Sequence, residues 1–217
     1  MLNSKNIKKN YSKYFVNLFL LIYIIFGLYY STQTGISHDE FGEQYNWKIN
    51  IEAVKGLFVG DQTYYNELLN YKDKYYGIGF HFLSQIYIDL FKFIYLSKDF
   101  SLEVTKILIS HNLIFIFFFI SALYSKKIID LSIKNNFFSH LFLFFYLLYP
   151  YLLGHGFYNP KDMPFLTLWV LCTYFSLKIF LNINSKKKIK YREIIILSFL
   201  TAYLLSIRIS GIMIFIQ

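Results

Sequence analysis

Three groups of residues have the types and spacing to do chemistry. The first is Ser37-His38-Asp39-Glu40-Phe41-Gly42-Glu43, which begins about six residues past a long apolar run. Adjacent carboxylates can take a proton from an attacking hydroxyl or hold a divalent ion. A solvated acidic loop would carry the same residues. The second is His155-Gly156-Phe157-Tyr158-Asn159-Pro160-Lys161-Asp162-Met163-Pro164-Phe165. Asn-Pro with a nearby Gly predicts a turn between two helices. Asp162 then falls at the positive dipole end of the following helix. Capping explains an acid there but not Lys161 beside it, nor His155. The third is Arg208, in Ser206-Ile207-Arg208-Ile209-Ser210-Gly211, deep within an apolar run. A guanidinium in that setting is read as functional by default, and its natural partner is a phosphate or carboxylate held as a fork. The alternative is an Arg that snorkels to an interface or pairs with a structural acid.

Other polar residues are weaker candidates. His111, Asn112 and His140 read as residues that pack helices together. Gly77-Ile78-Gly79 lacks the third Gly or the Lys-Ser/Thr of a phosphate loop. No Ser/His/Asp elbow, HExxH or CxxC occurs in the chain.

The elements that must position these groups are apolar. Five stretches read as spanning helices: 14–30, 107–124, 137–153, 163–182 and 194–216. Each has 17 to 23 residues, and at about 1.5 Å per residue that matches a hydrocarbon core of about 30 Å. Arg208 lies 14 residues beyond Ile194, or roughly 21 Å along the fifth. The first stretch lacks a small-residue cleavage site, so an uncleaved helix is expected. A sixth stretch, Gly77 to Leu96, carries Ser84 and a stripe of His81, Gln85, Asp89 and Lys92 spaced four, four and three apart. A continuous polar stripe predicts an amphipathic helix lying in the membrane interface.

Charge supports that choice. With Gly77–Leu96 on the surface, twelve of the 22 basic residues fall in three short segments on one side: the N-terminal tail, residues 125–136 and residues 183–193. Lys/Arg bias of this kind marks the cytoplasmic side. The opposite side then holds the long loop 31–100 and the turn 154–162, so the two acidic clusters, about 120 residues apart, share a face with Arg208. The predicted fold is therefore all-α: one multi-pass transmembrane helical bundle over residues 1–217, with a long outer loop containing an amphipathic juxtamembrane helix. Because the chain stops directly after an apolar run, it is expected to be the front portion of a longer protein.

Composition agrees. Of 217 residues, 56% are hydrophobic and 16% charged, with 1 Cys, which excludes a disordered chain, a disulfide scaffold and a four-cysteine zinc module. The net charge of +9 sits in short blocks between apolar runs, so it does not form a nucleic-acid-binding face.

The Asp39-Glu40 pair after the first helix, the amphipathic helix of the outer loop, Asn159-Pro160-Lys161-Asp162-Met163-Pro164-Phe165 and Arg208-x-Ser210-Gly211 together resemble the front part of an integral-membrane glycosyltransferase of the GT-C type. Within that type the chain looks like the protein O-mannosyltransferases and lipid A aminoarabinose transferases (glycosyltransferase family 39-like). The resemblance implies a hexosyltransferase that takes sugar from a polyprenyl-phosphate donor. The acceptor would be a lipid, glycan or protein on the periplasmic or lumenal side, with the protein in a bacterial inner membrane and its N-terminus cytoplasmic. By similarity, Asp39 is the base or acceptor-orienting carboxylate, Glu40 assists it, Asp162 is the second outer carboxylate, and Lys161 and Arg208 bind the donor phosphate. His38, Glu43, His155 and Asn159 are candidates for the acceptor side. The resemblance leaves divalent metal use open, with Glu40 and His155 as the ligands where one is used. No other cofactor and no nucleic-acid partner are expected. A lipid-linked sugar transporter or flippase, or a non-catalytic membrane subunit, are the competing readings.

Overall fold

A computed structural model describes residues 4–95 and 101–217. Nine α-helices follow in order among these residues: α1 (Ser4–Ser31), α2 (His38–Val59), α3 (Thr63–Asn70), α4 (Gly79–Tyr95), α5 (Leu102–Ile133), α6 (Asn136–Leu148), α7 (Pro150–Tyr158), α8 (Asp162–Asn184) and α9 (Tyr191–Ile207). A 3₁₀ segment, Ile209–Ile216, closes the chain. The fold is all-helical and consistent with a multi-pass integral membrane protein. Three helices, Tyr14–Ser31, Leu102–Ile133 and Asp162–Asn184, are long and apolar enough to cross a bilayer, and α6 with α7 makes a fourth if that bent pair is one span.

α5 is the axis of the bundle. Its apolar window is 67% buried, against 17% for α1 and 22% for α8. Phe115 and Phe118 are fully buried and pack with Leu143, Leu147, Met163, Cys172 and Leu204 from α6, α8 and α9. α1 lies antiparallel to α5, with Tyr23 stacked near Phe119 and Ser31 Oγ 2.7 Å from Asn112 Oδ1. α8 runs parallel to it: Thr167 Oγ1 donates to Phe117 O at 2.9 Å, and Tyr174 meets Tyr124 seven residues further along both helices. The ends of α1, α7 and α9 and the start of α8 therefore meet at one end of the bundle. At the other end, Lys178 pairs with Glu193 at 2.8 Å, and Lys127 sits 3.9 Å above the Tyr124 ring.

Two of the expected spans are not straight helices. Over 137–153 the helix stops at Leu148 and resumes at Pro150, bent by 58°. Proline has no N–H to continue the ladder and forces the residue before it to be extended, as Tyr149 is (φ −68°, ψ 113°). The Leu147 carbonyl accepts from the Tyr23 hydroxyl at 2.6 Å. Over 194–216, α9 ends at Ile207 and Arg208 is extended (φ −148°, ψ 133°). The chain then doubles back along α8, because Gln217 Oε1 accepts from Thr173 Oγ1 at 3.0 Å. Arg208 is thus at the apex of a reversal, not within a continuous span. A cation leaves the apolar ladder there for a carboxylate partner.

The stretch 31–100 also differs from a loop with one helix: α2, α3 and α4 occupy most of its described residues. α4 does not lie across the bundle end. It runs antiparallel along the first half of α5, with the Phe80 and Phe117 rings 5.9 Å apart. Of its polar stripe, His81 and Ser84 are buried and Asp89 is exposed, while Phe82, Ile86, Leu90 and Phe93 face outward. The start of α4 is pressed against the end of α9. A Cβ on Gly77 would collide with the Ser206 and Ile207 carbonyls, and one on Gly79 with the Ser206 side chain. Gly77-Ile78-Gly79 is therefore a close-approach motif. Gly77→Ala is expected to destabilise the protein by about 1–3 kcal/mol, as overpacking against backbone does. Thermal unfolding in detergent checks this; an unchanged midpoint would show that the contact yields.

Candidate functional site

The acidic motif folds as a helix start. In Ser37-His38-Asp39-Glu40 the Ser and Glu have capping-box spacing, and Glu40 Oε2 accepts from the Ser37 backbone N–H at 2.6 Å. That spacing is present in the sequence, and the structure shows a helix start in place of the expected loop. The other Glu40 oxygen, Oε1, lies 2.5 Å from His111 Nε2, and both side chains are buried. His111 Nδ1 lies 3.0 Å from the Ser31 carbonyl and 3.0 Å from Thr34 Oγ1. A carbonyl only accepts, so Nδ1 carries a hydrogen. The Glu40–His111 pair ties α2 to α5, which gives His111 a specific role beyond helix packing.

One turn further along α2, Glu43 is also buried. Its Oε1 forms an ion pair with Lys161 Nζ, and its Oε2 lies 3.6 Å from His81 Nε2 without a hydrogen bond. Burial pushes the Glu43 carboxyl up, but His81 and Lys161 beside it outweigh burial and hold it below the ordinary glutamate range. Lys161 Nζ also stands 4.1 Å from the centre of the Tyr76 ring, a cation–π contact. Asp39 is exposed. It lies four residues before Glu43, so the two share a helix face one turn apart. His38 is exposed beside it.

The second motif is a built corner between α7 and α8. Asn159 Oδ1 accepts from the Lys161 and Asp162 backbone N–H groups at 3.1 and 2.8 Å. Its Nδ2 donates to Asp162 Oδ2 at 3.0 Å and to His155 Nδ1 at 2.8 Å. Asp162 Oδ1 then receives Arg208 Nη2 at 2.7 Å. Arg208 Nε is buried without a hydrogen-bond partner, and the guanidinium carbon is 5.9 Å from the Phe165 ring centre. Asp162 thus satisfies only part of the guanidinium fork.

Glu43, Lys161, Asp162 and Arg208 accordingly gather at the end of the bundle where α1 ends, with Glu40 one turn from Glu43. Glu40 is engaged by His111, and His155 by Asn159. Among the described residues no group of three or more His, Cys, Asp or Glu side chains is placed to hold a metal ion. Beside Arg208 opens a cavity of about 550 Å³, lined by Lys72, Asp73, Tyr75, Tyr76, Ile209 and Ser210 among others. Lys72, Asp73, Tyr75 and Tyr76 had no motif to single them out; the close packing of Gly77 and Gly79 against the end of α9 brings this segment to Arg208. Two cations against one carboxylate, with two phenol rings around the same opening, suit an anion with a ring-shaped substituent. No protein-family model matches the chain, and no curated protein or solved structure matches it either.

Proposed function

We propose that the protein is a membrane glycosyltransferase that moves a sugar from a polyprenyl-phosphate donor to an acceptor on the non-cytoplasmic side of a bacterial inner membrane. The observation that carries this reading is the cavity that Arg208 lines together with Lys72 and the Tyr75 and Tyr76 rings, at one end of an apolar bundle. In this reading Arg208 and Lys161 grip the donor phosphate as charge-assisted donors. Asp162 and Asn159 orient Arg208 and Lys161 through the corner they form. Asp39, exposed on the same helix face as Glu43, takes the proton of the acceptor hydroxyl. Glu43 positions Lys161, and Glu40 with His111 holds the start of α2 in place.

The test is transfer by purified protein in liposomes supplied with polyprenyl-phosphate sugars. Asp39→Asn is expected to lower turnover by roughly 10²–10⁴-fold, the range of a general base, with the protein still inserted and folded. Turnover at the wild-type rate would remove Asp39 from this role.

A second reading has its own support. Interrupted helices at α6–α7 and at Arg208 are the kind that line transporter binding sites. In that reading the same cations bind a lipid-linked sugar without bond making. Translocation of the lipid across liposomes with no sugar transferred would favour it.

A further inference from the structure

A second cavity, of about 560 Å³, lies between α2, α4 and the start of α5. It shares no lining residue with the cavity at Arg208, and Trp47 on its wall packs 6.3 Å from His81. Its size falls within the roughly 300–1,000 Å³ of small-molecule sites. None of the residues assigned to the donor or to the helix corner lines it.

Its lining has a distinct chemistry. Trp47 is half-buried and meets Phe82 at near right angles, with ring centres 5.4 Å apart, so its indole offers an aromatic face to the cavity. Gln44 from α2 and Gln85 from α4 supply amides. Lys48, Lys55 and Lys106 supply three ammonium groups against two carboxylates, Glu52 and Glu103. None of the three lysines makes an ion pair with a described residue. An aromatic face takes the apolar face of a sugar ring, amides and carboxylates pair with hydroxyls, and surplus ammonium groups hold an acidic substituent. A purely apolar ligand would leave these charges without partners on desolvation.

We infer that this cavity binds a soluble anionic saccharide, with Trp47 stacked on a sugar ring and Lys48 and Lys106, from opposite walls, holding its carboxylate or phosphate. The site stands whether or not sugar is transferred at Arg208. The test uses the full chain in detergent, with Trp fluorescence read during titration by glucose 6-phosphate, digalacturonate and, as the neutral control, maltose. Saturable quenching by at least one acidic saccharide is expected, at least tenfold tighter than by maltose. Lys48→Gln with Lys106→Gln should weaken it roughly tenfold or more, as loss of charged hydrogen bonds does. Trp47→Phe should remove the quench, and calorimetric titration of that variant should still show binding. Arg208→Gln should leave the affinity unchanged. No saturable signal from either acidic sugar in folded protein would overturn the proposal. So would equal affinity for maltose, or a lysine double variant that binds like wild type. Loss of binding in Arg208→Gln would move the ligand to the other cavity and overturn it too.

Discussion

Arg208→Gln is expected to weaken binding of polyprenyl phosphate roughly 10–100-fold, because a hydrogen bond to a charged group is worth about 1.5–3 kcal/mol. For the proposed transferase, transfer should fall at least as far, since the proposed phosphate contact would strengthen as charge develops on the leaving group. Stability should hardly change. The Arg208 and Asp162 side chains are 34% and 51% exposed, so solvent screens the pair to at most about 1 kcal/mol. Arg208→Lys keeps the charge but not the fork and should fall between the two. Equilibrium binding of the lipid phosphate in detergent, beside a thermal melt, separates these outcomes. Wild-type affinity in Arg208→Gln would leave the Arg208 cavity without its proposed ligand.

Glu43→Gln is expected to have the largest effect on stability. Its side chain is 8% exposed, and its removal strands Lys161, which is 26% exposed, beside His81. Breaking a buried pair costs about 3–5 kcal/mol; partial exposure of Lys161 brings the expected loss to about 2–3 kcal/mol. The pH dependence follows from the direction of the Glu43 shift. Its folded-state value lies below its unfolded one, so its contribution is complete above the ordinary glutamate value of about 4.3. It is lost as pH falls through the lower folded value. Wild type should therefore lose stability on acidification through this range, and Glu43→Gln should lose less. Melting curves from pH 7 to pH 3 for both proteins test the point; parallel curves would exclude Glu43 as the source.

The two substitutions divide the site. Arg208 faces a cavity and is screened, so its loss falls on ligand binding. Glu43 is enclosed by α2, Lys161 and His81, so its loss falls on the fold and reaches the ligand only through Lys161. Asp39→Asn differs from both, for Asp39 is exposed and its change should spare stability and binding alike.

The apolar runs were legible because burial and span length are properties of composition over about twenty residues, whatever lies beside them. The corner at Asn159–Asp162 was legible for a similar reason: Asn-Pro and a first-turn acid act on backbone groups within three residues. α2 was not. Its buried face carries Glu40, Glu43 and Asn46, while Phe58 and Val59 are 88% and 84% exposed, so the periodicity that marks a helix is inverted and blurred. His81 and His111 likewise looked like a wet stripe and a packing residue. Their carboxylate partners lie 38 and 71 positions earlier in the chain.

By itself, then, the sequence determined an apolar helical bundle, the turn at Asn159 and the clustering of charge between spans, all of which follow from interactions among near neighbours. Only the tertiary structure decided that Glu43, and not Asp39, meets Lys161, that Arg208 caps a chain reversal onto Asp162, and that Lys72, Asp73, Tyr75 and Tyr76 wall a cavity. The physical reason is that a charge finds its partner by distance in space. Helix phase, a Pro-induced bend and the close approach of two glycines to the end of α9 set those distances.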